Sequence, residues 1–212
     1  RLHPIQPPDS CHRTGASERT ARHLAQIEQA VTENGTALAI KGCNELLKQI
    51  VMISSKLQKV VNDQITAELW SSQLYLQMSY FLKAQGWDGF AHWLKCHSDE
   101  EREHATRMAD FLTDRGGKVK LQMINLVPEG WGSVTEVFEH SLSQEKMVSK
   151  MIDKIVLHAI EEQDFATENF FRTFVDEQVE EEALFGGVVD RLKDAGENAL
   201  PFMNAQMGRR KE

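Results

Sequence analysis

The chain has 212 residues, 41% hydrophobic and 26% charged, with a formal net charge of −8. Those values describe one ordinary globular domain with an appendage. No apolar run approaches the ~20 residues that a membrane-spanning helix needs, and the acidic balance argues against nucleic acid, whose phosphates require a basic face. Neither a membrane nor a nucleic acid is expected as a partner.

Residues 1–51 differ from the rest. The first 20 are rich in Pro, Ser, Thr and Arg without periodicity and read as disordered. One or two helices fit between Thr20 and Ile50, interrupted by Asn34-Gly35 and Gly42. Met52 opens the well-patterned region, so residues 1–51 read either as a real extension or as a leader, tag or upstream sequence outside the mature protein. A secretory signal is not expected, because the segment lacks an apolar core; its arginines and serines give only a weak transit-peptide signal. Residues 1–51 hold six basic and five acidic residues of the chain's 24 and 32, leaving residues 52–212 with 18 against 27. The acidic surplus therefore belongs to the main body, as expected of a surface that attracts cations. Cys11, Cys43 and Cys96 form no CxxC pair and no disulfide framework, which fits a reducing, cytoplasmic compartment. Cys96 is expected as a small core or near-surface residue.

From Ser54 the pattern is helical. A first helix is expected over 54–84, ended by Gln85-Gly86, and a second over 87–115, ended by Gly116-Gly117 after a basic last turn. Residues 116–132 form a long non-helical connection. A third helix restarts with Ser133 as N-cap and Glu136 three residues on, a capping box, and runs to Glu161. A fourth follows a short break near 162–164 and ends about Ala195, stopped by Gly196. The remainder, with Pro201, is expected to hold a short helix or to fray.

Apolar residues recur at three- and four-residue steps: Val61, Ile65, Tyr75 and Leu82; Leu94, Ala105, Met108 and Leu112; Phe138, Leu142, Ile152 and Val156; Phe171, Phe174, Phe185, Val188 and Leu192. These are seam positions of a four-helix bundle. A helix of about 28 residues is ~42 Å long, and seventeen extended residues reach ~56 Å. The 116–132 connection can thus run the full bundle and set the third helix parallel to the second. The expected fold is all-α, a ferritin-like four-helix bundle with a long crossover. Trp87, Phe90 and Trp93 are candidates for outward apolar residues that serve assembly.

Polar residues interrupt the seams with a repeat. Glu68, Glu101 and His104 recur 77 positions later as Glu145, Gln178 and Glu181. All fall near mid-helix on the inward face, so the four sets should meet at one depth. Uncompensated buried carboxylates cost several kcal/mol each; a pair of divalent cations removes that cost, and protonation is the other cheap solution. Carboxylates with one imidazole and an amide, and no thiolate, suit iron or manganese and also admit zinc. Glu101 and His104 can share one ion that Glu68 completes, and Glu101 can bridge to a second held by Glu145 with Gln178 or Glu181. The second half has fewer firm ligands, so one ion should be held more tightly than the other. Tyr75 lies two turns beyond Glu68 on the same face, where a core aromatic and a redox or hydrogen-bonding role are both open. Glu100, Glu177, Glu180 and Glu182 cluster beside the site, where a solvated face competes with a third, looser cation position.

The stretches AELWSSQLYLQMSYF (67–81), HSDEEREHATRMADFLTDRGG (97–117), EHSLSQEKMVSKMI (139–152) and FVDEQVEEEALF (174–185) resemble the bacterial non-haem ferritins. The resemblance covers about 53–200 in spacing, order and flanking residues. It implies a first iron site of Glu68, Glu101 and His104 and a second of Glu101, Glu145 and Glu181 with Gln178 beside it. It implies a third of Glu100, Glu177, Glu180 and Glu181, with Tyr75 as the tyrosine near the ferroxidase centre. Gln178-x-x-Glu181 stands where bacterioferritins have Glu-x-x-His, so no haem is expected. The resemblance implies an iron storage protein that oxidises Fe(II) with dioxygen or hydrogen peroxide and stores ferric mineral in a hollow homo-oligomeric shell of 24 subunits. Residues 1–51 have no counterpart in it and, if folded, would lie outside such a shell. A rubrerythrin-like di-iron peroxidase is the alternative, though the four-cysteine rubredoxin motif is absent, and a non-catalytic metal-buffer bundle is the third reading.

Overall fold

The computed structural model describes residues 52–209, and the expectations for residues 1–51 lie outside them. Helix α1 spans Ser55–Ala84, α2 Asp88–Asp114, α3 Val134–Glu161 and α4 Phe165–Ala195; a 3-10 turn at Glu197–Ala199 leads into α5, Leu200–Met207. No strand occurs among the described residues. The bundle is all-α, and the helix bounds fall within a residue or two of those expected.

The sequence supplies the punctuation. Ser54, Ser133 and Asp164 cap α1, α3 and α4, each side chain accepting from the backbone N–H three residues on. The capping box at α3 closes one residue early, because the Glu136 carboxylate accepts from Gly132 N at 2.6 Å. Gly86 (φ 83°) and Gly116 (φ 70°) turn the chain out of α1 and α2 in the left-handed conformation. At Gly116 the C-terminal carbonyls are satisfied by Gly117 N to Leu112 O and Gly116 N to Thr113 O, both 2.9 Å. Gln163 (φ 55°) does the same job after α3 without the help of glycine. The expected basic last turn of α2 reduces to Arg115, which lies in the cap itself. There it clamps Asp164 through two nitrogens at 2.8 and 3.1 Å, tying the end of α2 to the start of α4.

Residues 118–131 carry no regular structure and form the crossover. Its first part is fastened to α1: Asn62 Nδ2 donates to Lys118 O at 3.0 Å, Lys120 N donates to Asn62 Oδ1 at 2.6 Å, and Lys118 N donates to Gln58 Oε1 at 2.7 Å. Its far end is held by Trp131, whose Nε1 donates to His140 Nδ1 at 3.0 Å and whose ring meets Phe81 edge-on. The contacts of Ser71 with Gln144 and of Met78 with Ser141 show α1 and α3 running antiparallel. The two hairpins are thus joined as expected.

The core comes in two apolar clusters. One, around Leu74, Met78, Phe90, Trp93, Phe138 and Phe185, lies toward α5; the other joins Leu57, Val61, Ile65, Met108, Ile152, Phe171 and Phe174. Each fully buried Leu or Phe contributes about 1.5–3 kcal/mol of transfer free energy. Phe90 and Trp93 belong to this core, at 0% and 6% exposure, and Trp87 packs against it. The expectation that they face outward is therefore wrong. The reason is α5: Asn204 Oδ1 accepts from Gly89 N at 2.8 Å and Phe90 N at 3.0 Å, and Met203 covers the same helix end. A side chain at position 89 would collide with Asn204 O at 1.8 Å, so the close approach needs glycine there. Cys96 is buried.

Candidate metal centre

Between the two apolar clusters the helices turn polar residues inward: Glu68, Ser71 and Ser72 from α1, His97, Ser98 and Glu101 from α2, Ser141, Gln144 and Glu145 from α3, and Gln178 from α4. Four long helices can expose polar side chains to one another in this way because the seam steps of three and four residues keep them on the inner face.

Glu68, Glu101 and His104 come together, one ligand atom of each lying within 4.8 Å of the others. His104 Nδ1 is 3.7 Å from Glu101 Oε2, and the i,i+3 spacing on α2 makes that meeting possible. Gln64 donates to Glu68 Oε1 at 2.8 Å. Glu68 Oε2 and Glu101 Oε2 are buried and accept no hydrogen bond among the described residues. Burial, and after it the facing Glu101 carboxylate, push the Glu68 carboxyl well above its ordinary range. Burial and the nearby Glu145 charge do the same to Glu101. Two buried carboxyls are thus short of positive charge and of donors, the condition that bound cations relieve.

The second half is arranged differently. The Tyr75 hydroxyl donates to Glu145 Oε1, and Gln178 Nε2 donates to Glu145 Oε2 at 3.0 Å. Ser149 donates to Glu182 Oε1 at 2.6 Å beside them. Burial raises the Glu145 carboxyl, and the Tyr75 and Gln178 donors offset part of that. The Tyr75 hydroxyl is pushed well above its usual value by burial and then by the Glu145 charge, so it stays a donor. Tyr75 is wholly buried and stacks on Phe185 at 5.7 Å.

Glu181 does not turn to Glu145 here. Its Oε2 lies 3.6 Å from His97 Nδ1, which also meets Glu100 Oε2 at 3.2 Å. Glu177 faces Arg107 Nη1 at 3.1 Å and His104 Nε2 at 3.5 Å, and Glu180 is exposed. Sequence reasoning missed Gln64 and His97. Both sit on the faces of known candidates, Gln64 one turn before Glu68 and His97 two turns before His104, and that spacing was the available signal.

A four-helix bundle with a long crossover and a buried carboxylate–imidazole cluster that could hold a metal ion has the architecture of the ferritin-like bundles. Residues 58–195 match the model of the ferritin-like domain. A bacterial non-heme ferritin of Bacteroides fragilis is 50% identical over 159 residues, covering 75% of this chain and all of the relative. That of Campylobacter jejuni is 35% identical over 147 residues, covering 69% and 88%. The crystal structure of an open pore ferritin from the hyperthermophilic archaeon Archaeoglobus fulgidus superposes with a TM-score of 0.75 at 40% identity, covering 76% of this chain and 99% of the other. The chain therefore belongs to the ferritin family, and iron storage is its class of function.

Proposed function

We propose that this protein oxidises Fe(II) at a paired site and stores the ferric product. The observation that carries the reading is the pair of buried carboxylate oxygens, Glu68 Oε2 and Glu101 Oε2, that accept no hydrogen bond beside an imidazole. Fe(II) is the substrate. Glu68, Glu101 and His104 hold the first ion; Glu101, Glu145 and Glu181 receive the second, with Gln178 beside it. Hard anionic oxygens stabilise Fe(III) over Fe(II) and so make electron loss easier. Two Fe(II) ions supply two electrons, which reduce dioxygen to hydrogen peroxide or hydrogen peroxide to water. Tyr75 stays protonated and holds Glu145 in place through its hydroxyl. Glu181 must rotate from His97 toward Glu145 when the second ion arrives, which makes that position the looser one. Glu100, Glu177 and Glu180 then serve ions passing to or from the pair.

Storage requires an enclosure, and a homo-oligomeric shell of 24 subunits built from the domain 52–212 is the form this reading takes. Action in the cytoplasm is part of the same reading; among the described residues no helix is long and apolar enough to cross a membrane. Aerobic addition of Fe(II) followed by ferric absorbance tests the chemistry. Fast oxidation is expected in the native chain and its loss in Glu101→Ala plus His104→Ala; unchanged oxidation in that variant would sink the proposal. Sizing in solution tests the shell, and a monomer or dimer would contradict it.

A further inference from the structure

Gln64 lies one turn before Glu68 on α1, and the two residues are 0% and 1% exposed. The i,i+4 spacing brings their side chains together, and Gln64 Nε2 donates to Glu68 Oε1 at 2.8 Å. That bond divides the carboxylate: Oε1 carries a buried donor, while Oε2 accepts no hydrogen bond among the described residues. The Gln64 carbonyl oxygen is itself buried without a donor among the described residues. Turning the amide over would aim that carbonyl at the carboxylate and leave the NH2 group without an acceptor, so the Glu68 charge fixes its orientation. One end of a buried amide thus goes unsatisfied while the other holds this carboxylate; packing alone would be better served by an apolar side chain. Gln144, 3% exposed in the same polar layer, sends its amide to Ser71 Oγ at 2.9 Å instead.

We propose that Gln64 is a positioning residue that sets Glu68 to bind the first ion through Oε2 alone, and that this selects first-row transition cations over Ca2+. The inference rests on the paired site proposed above, since Gln64 acts through Glu68. A donor on Oε1 draws charge from that oxygen and fixes the carboxylate plane, leaving Oε2 as the stronger ligand. Ca2+ gathers about 6–8 oxygens and readily takes both from one carboxylate. A transition ion beside an imidazole is satisfied by fewer ligands, so a carboxylate restricted to one oxygen costs it less.

Anaerobic titration of the full chain with Co(II), read by visible absorption and equilibrium dialysis with and without excess Ca2+, tests this. In the native chain the tighter Co(II) should resist Ca2+. Gln64→Met keeps the side-chain length and removes the donor; it should weaken that ion by roughly tenfold or more and let Ca2+ compete. Infrared carboxylate bands add a readout that packing alone would not move. The splitting between asymmetric and symmetric stretches narrows when a carboxylate binds through both oxygens, and it should narrow on Co(II) binding in Gln64→Met. Gln144→Met should match the native chain throughout. Gln64→Leu repeats the test should Gln64→Met fail to fold, with circular dichroism reporting the helices. Displacement of the tighter Co(II) by Ca2+ in the native chain would overturn the inference. So would a folded Gln64 variant with neither Ca2+ competition nor narrowed splitting, or equal losses in Gln144→Met. A native chain that binds no Co(II) would instead refute the paired site, so the two failures look different.

Discussion

Glu68 and Glu145 stand 77 residues apart at equivalent places in the two hairpins, and both are 1% exposed. Their surroundings are not equivalent. Glu145 is held by Tyr75 and Gln178, whereas Glu68 has Gln64 on one oxygen and nothing on the other, with Glu101 facing it. One half is a finished hydrogen-bond network that a cation must partly dismantle. The other is an unfinished one that a cation completes. The fold repeats itself, while the donors around its two carboxylates do not.

The largest test of that contrast is in rate. Glu68→Gln should slow the initial oxidation of Fe(II) by more than about a hundredfold, since it removes a ligand that nothing else supplies, while Gln178→Ala should cost only roughly tenfold. Stopped-flow absorbance distinguishes the two, and equal losses would erase the distinction. Stability comes next. Tyr75→Phe leaves a buried carboxylate oxygen without its donor and should destabilise the metal-free protein by about 1–3 kcal/mol in urea unfolding. Glu68→Gln should act in the other direction, raising metal-free stability by on the order of 1 kcal/mol as it removes a crowded charge. A destabilised metal-free Glu68→Gln would show that the first half is finished after all.

The smallest effect is in pH. Glu68 and Glu101 have carboxyls raised above their unfolded values, so the folded state holds more protons. Their contribution is fully present below the unfolded carboxylate pKa and is lost as pH rises through the folded values. Asp164, lowered by Arg115 and Thr167 against the burial that raises it, works oppositely: its contribution is present above the unfolded pKa and is lost as pH falls through the folded one. Metal-free protein should therefore lose melting temperature between mildly acidic and neutral pH, and saturating Zn2+ should abolish the loss. Arg115→Ala should remove only the acid-side dependence. A metal-free profile that rises steadily to neutrality would contradict the crowded-carboxylate account.

Much of this was readable before any coordinates, for physical reasons that differ by element. Glycines 86 and 116, the capping serines and the seam spacing act within one or two turns, so the four helices and the crossover follow from local chemistry. Glu68, Glu101, His104, Glu145 and Gln178 fall on inward faces at mid-helix, and helix geometry alone brings them to one level. The errors lie where distant segments meet. Phe90 and Trp93 read as outward because nothing in their own helix reveals that Asn204 and Met203 will cover it. His97 is not among the residues that the sequence singles out, since its partner Glu181 lies on another helix. The division of labour between Glu177 and Glu181 depends on Arg107, whose reach across to α4 is not a matter of spacing.

The polar layer also divides the hydrophobic interior into two clusters that share no residue. Mechanically, the bundle is two short columns stacked end to end, joined by a waist of repelling carboxylates. Buried hydrogen bonds such as Ser72 to Ser98 and Gln144 to Ser71 hold that waist together against the crowding of its carboxylates. On the proposed reading, cations bound there would pin that waist, and the cargo would fasten the bundle that receives it.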